Sequence, residues 1–162
     1  MKSLACISTL LVATLLASCA RRADTGRWVD GIGEANIKAD RALADGNLVA
    51  ARTILEEVAD KPLPAGLAVE DGLLVRKDAC FRLAMLELQA ERPKIALEWA
   101  DRGLGLDKRG DLFTANLLVA RGSALEALGK DDLAARSYKR ALGINEKLLE
   151  AELNGKGGRV KS

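Results

Sequence analysis

One pattern recurs along this chain and limits the folds open to it. After Gly46, the residues Ala51, Leu55 and Val58 fall five, nine and twelve positions on; after Gly129, Ala134, Tyr138 and Ala141 fall at the same offsets. This is the spacing of a tight turn followed by a helix with one packing face. A middle copy keeps Ala96, Ala100 and Gly103 in register, but Glu91 stands where the glycine would be, and Pro93 sits where it opens a helix without losing a needed N–H. Seven residues before each turn stands another small residue, Ala39, Ala84 or Gly122. These lie on helix-length segments running from Trp28 to Asp45, Leu73 to Ala90 and Asp111 to Leu128. Small side chains facing Ala51, Ala96 and Ala134 let two backbones approach closely. Each unit is therefore expected to be an antiparallel helix pair.

Composition points the same way. Hydrophobic residues make up 49% of the 162 positions but aromatics only 3%, which suits close-packed helices better than a sheet. The expected class is all-α. With 25 Lys and Arg against 23 Asp and Glu, nothing suggests a nucleic-acid surface. The absence of His removes Ser/His/Asp and Cys/His nucleophile pairs and His-containing zinc sites. Glu56-Glu57 and Asp131-Asp132 are sequence neighbours and diverge on a helix, serving as exposed charge or first-turn caps. Gly31-Ile32-Gly33 lacks the strand, third glycine and lysine of a phosphate loop. No catalysis, metal or soluble cofactor is expected.

The glycine, the two small packing positions, the aromatic and the late Ala-Leu together resemble the tetratricopeptide repeat. The match is best over Ala115 to Asn145, fair from Ile32 and degenerate from Lys77. The inferred unit starts of 32, 77 and 115 are spaced more widely than the family's period of about 34. The surplus lies in connectors at Lys61-Pro62-Leu63-Pro64-Ala65-Gly66 and Lys108-Arg109-Gly110. The resemblance covers roughly 32–145 and implies a short α-solenoid of about three hairpins, with 28–145 as the repeat domain. Such a stack needs capped ends. Leu148, Leu149 and Leu153, between Asn145 and an Asn154-Gly155 stop, suggest a closing helix over 146–155, followed by a flexible basic tail over 156–162.

In this family the first helices of successive units line a concave groove that holds a partner's peptide or helix. Carried over, the resemblance implies Asn36, Ile37 and Asp40 from the first unit, Phe81, Arg82, Met85 and Leu88 from the second, and Asn116, Val119 and Ser123 from the third. Phe81, Met85 and Leu88 form one helical stripe, and Cys80, Leu83 and Ala84 an adjacent one. For Phe81 and Met85 both groove-facing and buried placements remain open. If they face the groove, the ligand is an apolar or amphipathic segment with Arg82 and Asp40 as polar guides. The variant of the family that grips a C-terminal carboxylate is not expected, because one arginine beside an aspartate holds a carboxylate poorly. Cys80 reads as a small buried hydrophobe. Trp99 reads as packing between helices; Trp28 is either a headgroup anchor or a staple on the first helix.

The start of the chain reads as an address. Met1-Lys2 precedes a mostly apolar run from Leu4 to Leu16, shorter than the roughly 20 residues of a spanning helix and stopped by Arg21-Arg22. Leu16-Ala17-Ser18-Cys19 resembles the lipobox of bacterial lipoproteins, though its small residues also suit ordinary leader cleavage. The resemblance implies a leader over 1–18, a diacylglycerol and an acyl chain on Cys19, and a tether over 19–27. Ala20 then implies the outer membrane, with the protein on its periplasmic side. Extended, the eight residues from Ala20 to Arg27 reach at most roughly 28 Å. The expected function is a non-catalytic adaptor or assembly factor that holds an envelope protein for secretion, pilus or motility machinery. Its layout is distantly similar to type IV pilus pilotins. A peptidoglycan- or small-ligand-binding lipoprotein and a passive spacer are the alternatives.

Overall fold

Three turns of one design set the architecture. A computed structural model describes the backbone of residues 3–157 and the side chains of residues 23–154. The expectations about the leader, Cys19 and the basic tail fall outside the residues whose side chains are described. Among the described residues the chain is all-helical: α1 (Ser3–Ala44), α2 (Leu48–Asp60), α3 (Val69–Gln89), α4 (Pro93–Gly105), α5 (Leu112–Ala127) and α6 (Asp131–Gly157). After α1, the N–H of Asn47 donates to the Ala42 carbonyl at 2.8 Å and that of Gly46 to Leu43 at 3.0 Å. Arg92 to Glu87 (2.8 Å) with Glu91 to Leu88 (3.0 Å) repeats this after α3, and Lys130 to Leu125 with Gly129 to Glu126 (both 2.9 Å) repeats it after α5. All three are Schellman turns, whose pivot residue takes left-handed backbone. Gly46 and Gly129 sit at φ 72° and 70°, and Glu91 at φ 56°. The degenerate copy therefore keeps the turn and bears its strain on a glutamate.

Each turn folds a helix back on its neighbour, giving the hairpins α1/α2, α3/α4 and α5/α6. Each hairpin packs on the next, and α3 also lies against α5. Asn47 caps α2 by accepting from the Ala50 N–H at 3.1 Å, Pro93 opens α4, and Asp111 caps α5 through the Thr114 N–H at 2.8 Å. The small residues of the template are buried throughout: Ala39 with Ala51, Ala84 with Ala96, and Gly122 with Ala134. At Gly122 the need is steric, since a methyl there would fall within 2.7 Å of the Tyr138 ring. At Gly103 it would fall 2.6 Å from Leu117 and 2.9 Å from Cys80. Leu55, Leu83, Leu117, Leu118 and Leu125 fill the space between.

Two buried ion clusters cross the helix interfaces. Lys77 on α3 is fully buried and pairs with Asp107 and, at 2.8 Å, with Asp111, while its ammonium also donates to Thr114 at 2.9 Å. This pins α3 to the connector and N-terminus of α5. Glu87, also fully buried, pairs with Arg52 of α2 and with Arg92 at 2.7 Å. A buried charge costs several kcal/mol, on the order of 3–5 when its partner is removed, so both sets act as register pins whose loss is expensive.

The structure corrects the expectations for the closing helix and the tether and decides the one left open at Trp28. Segment 146–155 is not a separate closing helix: α6 runs unbroken to Gly157, because Asn145 is followed by the good helix formers Glu146 to Ala151 and no described residue there takes left-handed backbone to end the helix. Leu148, Leu149 and Leu153 stay exposed, since α6 has 27 residues against 16 in α5 and outruns the surface it packs on. Residues 23–27, expected as unpatterned tether, are helical within α1 and carry an Asp24–Arg27 ion pair. A helix advances about 1.5 Å per residue, less than half of an extended chain. Trp28 is a staple: its indole N–H donates to the Pro62 carbonyl at 2.9 Å and its ring is buried against the first hairpin.

Candidate functional site

At 100° per residue, α3 divides into a buried arc carrying Ala79, Leu83, Ala84, Leu86 and Glu87 and an outward arc carrying Phe81, Arg82, Met85 and Leu88. Along the outward arc lies a hollow of about 380 Å³ lined by Leu43, Phe81, Arg82, Met85, Leu86, Leu88 and Gln89. Leu43 comes from the last turn of α1, so the hollow spans the first helices of two successive hairpins. Met85 is 43% exposed and faces it; Phe81 is half-buried, with its inner edge against Ala84, Ala100 and Ala120. The two placements left open in the sequence are thus resolved differently for the two residues.

Arg82 is the polar centre. Its Nη1 donates to Asn36 Oδ1 at 2.8 Å and its Nη2 pairs with Asp40, so three of the expected groove residues meet across 46 positions of sequence. The guanidinium is oriented and its charge matched. Asp78, one turn earlier on α3, is half-buried; burial pushes its carboxyl above the usual range, Arg82 pulls it back, and Asp40 adds to the rise. The third unit does not join. Val119 is exposed outside the lining, Asn116 is half-buried outside it, and the Ser123 hydroxyl lies 3.2 Å from that of Tyr138, which donates to Glu126 at 2.8 Å; Ile37 of the first unit is likewise exposed outside the lining.

Sequence reasoning missed Leu43, Leu86 and Gln89 in the lining and both buried ion clusters. A signal was present for the clusters. Lys77 and Glu87 fall on the stripe shared with Cys80, Leu83 and Ala84, where a charge requires a buried partner, and Asp111 stands at a helix N-cap. Among the described residues no group of three His, Cys, Asp or Glu is placed to hold a metal ion. Trp99 packs between hairpins, with the Arg102 guanidinium 4.9 Å over its ring. Comparison with family models, curated proteins and solved structures returns no match to this chain.

Proposed function

We propose that this chain is a lipid-anchored, non-catalytic adaptor: a tetratricopeptide-like solenoid of three hairpins whose hollow holds an apolar or amphipathic segment of an envelope protein. The observation that carries the reading is the apolar wall of Leu43, Phe81, Met85 and Leu88 beside an Arg82 already fixed by Asn36 and Asp40. Exposed Met flanked by a half-buried aromatic suits the apolar anchors of a partner helix. Because the Arg82 charge is matched, the hollow selects apolar side chains over carboxylates. Identical offsets in three successive turns, with α3 against α5, support the repeat reading. Among the described residues no helix is long and apolar enough to cross a membrane. In this proposal the acyl groups of Cys19 hold the protein at the outer membrane.

A photo-crosslinking residue in place of Met85, used in cells and followed by mass spectrometry, tests the reading. A discrete adduct with one envelope protein, lost when Arg82 or Phe81 is replaced, is the expected result. Absence of any adduct, or co-sedimentation with purified cell wall that depends on the same residues, would replace the adaptor with a spacer or a glycan binder.

A further inference from the structure

On the far side of α3 from the hollow, Arg76 and Cys80 face a second, smaller cleft of about 120 Å³, closed by Ala59 and Asp60 at the end of α2 and by Arg102 and Leu106 at the end of α4. Three helix segments from two hairpins thus converge on a space with room for one tetrahedral oxyanion and its attendant water. Its charged lining is two arginines and one aspartate, a net excess of one positive charge.

Both guanidiniums are held before any ligand arrives. Arg102 is stacked over Trp99 at 4.9 Å and paired with Asp60. Arg76 donates Nη2 to the Lys61 carbonyl at 3.0 Å. Its Nε is buried and has no hydrogen-bond partner among the described residues. A buried, charged N–H without an acceptor is costly. Glu87 Oε1 and Oε2 and Arg52 Nη2 also lack a hydrogen bond among the described residues, but they pair as ions, as does Lys77; Arg76 has no ion pair there. The Cys80 thiol is pushed up to about 11, by burial first, with Arg102 opposing, so it stays neutral and does not compete with an anion.

We infer that this cleft is a binding site for a small phosphate-type oxyanion, free or as a lipid or nucleotide phosphate monoester, with Arg76 and Arg102 as its donors. Arginine forks match tetrahedral oxyanions geometrically, and fixing both side chains in advance lowers the entropic cost of binding. Asp60 is the internal competitor: it already occupies Arg102 and repels an incoming anion. The site is separate from the hollow at Met85 and does not depend on what binds there.

The test titrates the full chain with inorganic phosphate, followed by two-dimensional NMR of the amides around Arg76 and Arg102. Saturable shifts with Kd on the order of 1 mM are expected. Arg76→Gln should weaken binding about tenfold, and Asp60→Asn should tighten it several-fold by removing the competing carboxylate. A purely structural Asp60–Arg102 pair predicts no gain in that variant. The tightening is therefore informative even if Arg76→Gln is poorly folded. Vesicles of phosphatidic acid, compared with phosphatidylcholine, separate the sources: binding to both phosphate and phosphatidic acid points to a headgroup, and binding to phosphate alone points to a free anion. No saturable response to either probe, or equal responses in wild type and both variants, overturns the inference.

Discussion

Replacing Glu91 by glycine, beside Gly46→Ala and Gly129→Ala, asks whether the three turns are copies of one device. Glu91 holds φ 56° with an exposed side chain that forms no ion pair among the described residues. Left-handed backbone costs a non-glycine residue roughly 1–2 kcal/mol. The added freedom of glycine in the unfolded chain returns about 0.5–1 kcal/mol of that. Glu91→Gly should therefore stabilise the fold by about 0.5–1 kcal/mol. At Gly46 and Gly129 a Cβ would meet nothing within 4 Å, so alanine there introduces backbone strain and no clash. Each should destabilise by about the same amount as the glutamate replacement gains. In urea denaturation with a slope of about 2 kcal/mol/M, these are midpoint shifts of roughly 0.3–0.5 M, upward for Glu91→Gly and downward for the other two. If Glu91→Gly lowers the midpoint, or the alanine variants leave it unchanged, the shared-turn reasoning fails.

Other outcomes follow from the charges and the anchor. Lys77→Met should cost about 2–4 kcal/mol at pH 7, because Asp107 and Asp111 lose their buried partner. Burial alone would raise both carboxyls, but hydrogen bonds from Lys77, joined by Arg109 at Asp107 and by Thr114 at Asp111, hold both below the usual carboxylate range. A depressed folded pKa contributes stability above the unfolded value near 4 that is lost as pH falls through the folded one. Acid titration of stability below pH 4 should accordingly be shallower in Lys77→Met than in wild type, and an unchanged slope would contradict the assignment. Asp78 has the opposite sign: its raised carboxyl makes the ionised form a liability above its folded pKa, so Asp78→Asn should raise Tm at pH 7 and leave it unchanged at pH 3. Cys19→Ala should abolish acyl labelling in cells, and acylation persisting in that variant would remove the lipid address.

What was legible in the sequence was whatever depends on local offsets. Glycine or its substitute, followed by a small residue five positions on, marks a turn and a close approach within one hairpin, and both Ala51 and Ala134 are buried as that spacing requires. The convergence of Asn36, Asp40 and Arg82 was legible only through the repeat resemblance, because the separation between α1 and α3 depends on how one hairpin sits on the next. That same dependence kept Asn116, Val119 and Ser123 out of the hollow. The length of α6 was hidden for another reason. Its apolar stripe beyond Ala141 looks like a packing face, and no residue in the stripe records that α5 has already ended.

Close nesting at glycine is the physical basis of the whole arrangement, and a double-mutant cycle between Gly122 and Tyr138 measures it directly. Gly122→Ala places a methyl within 2.7 Å of the Tyr138 ring, so overpacking of about 1–3 kcal/mol should exceed the helix-propensity gain of about 1 kcal/mol. In a Tyr138→Ala background the obstruction is gone, and the same substitution should become neutral or stabilising by up to about 1 kcal/mol. The predicted result is a coupling of at least about 1 kcal/mol in chemical denaturation; equal effects of Gly122→Ala in the two backgrounds would show that the helices do not meet there.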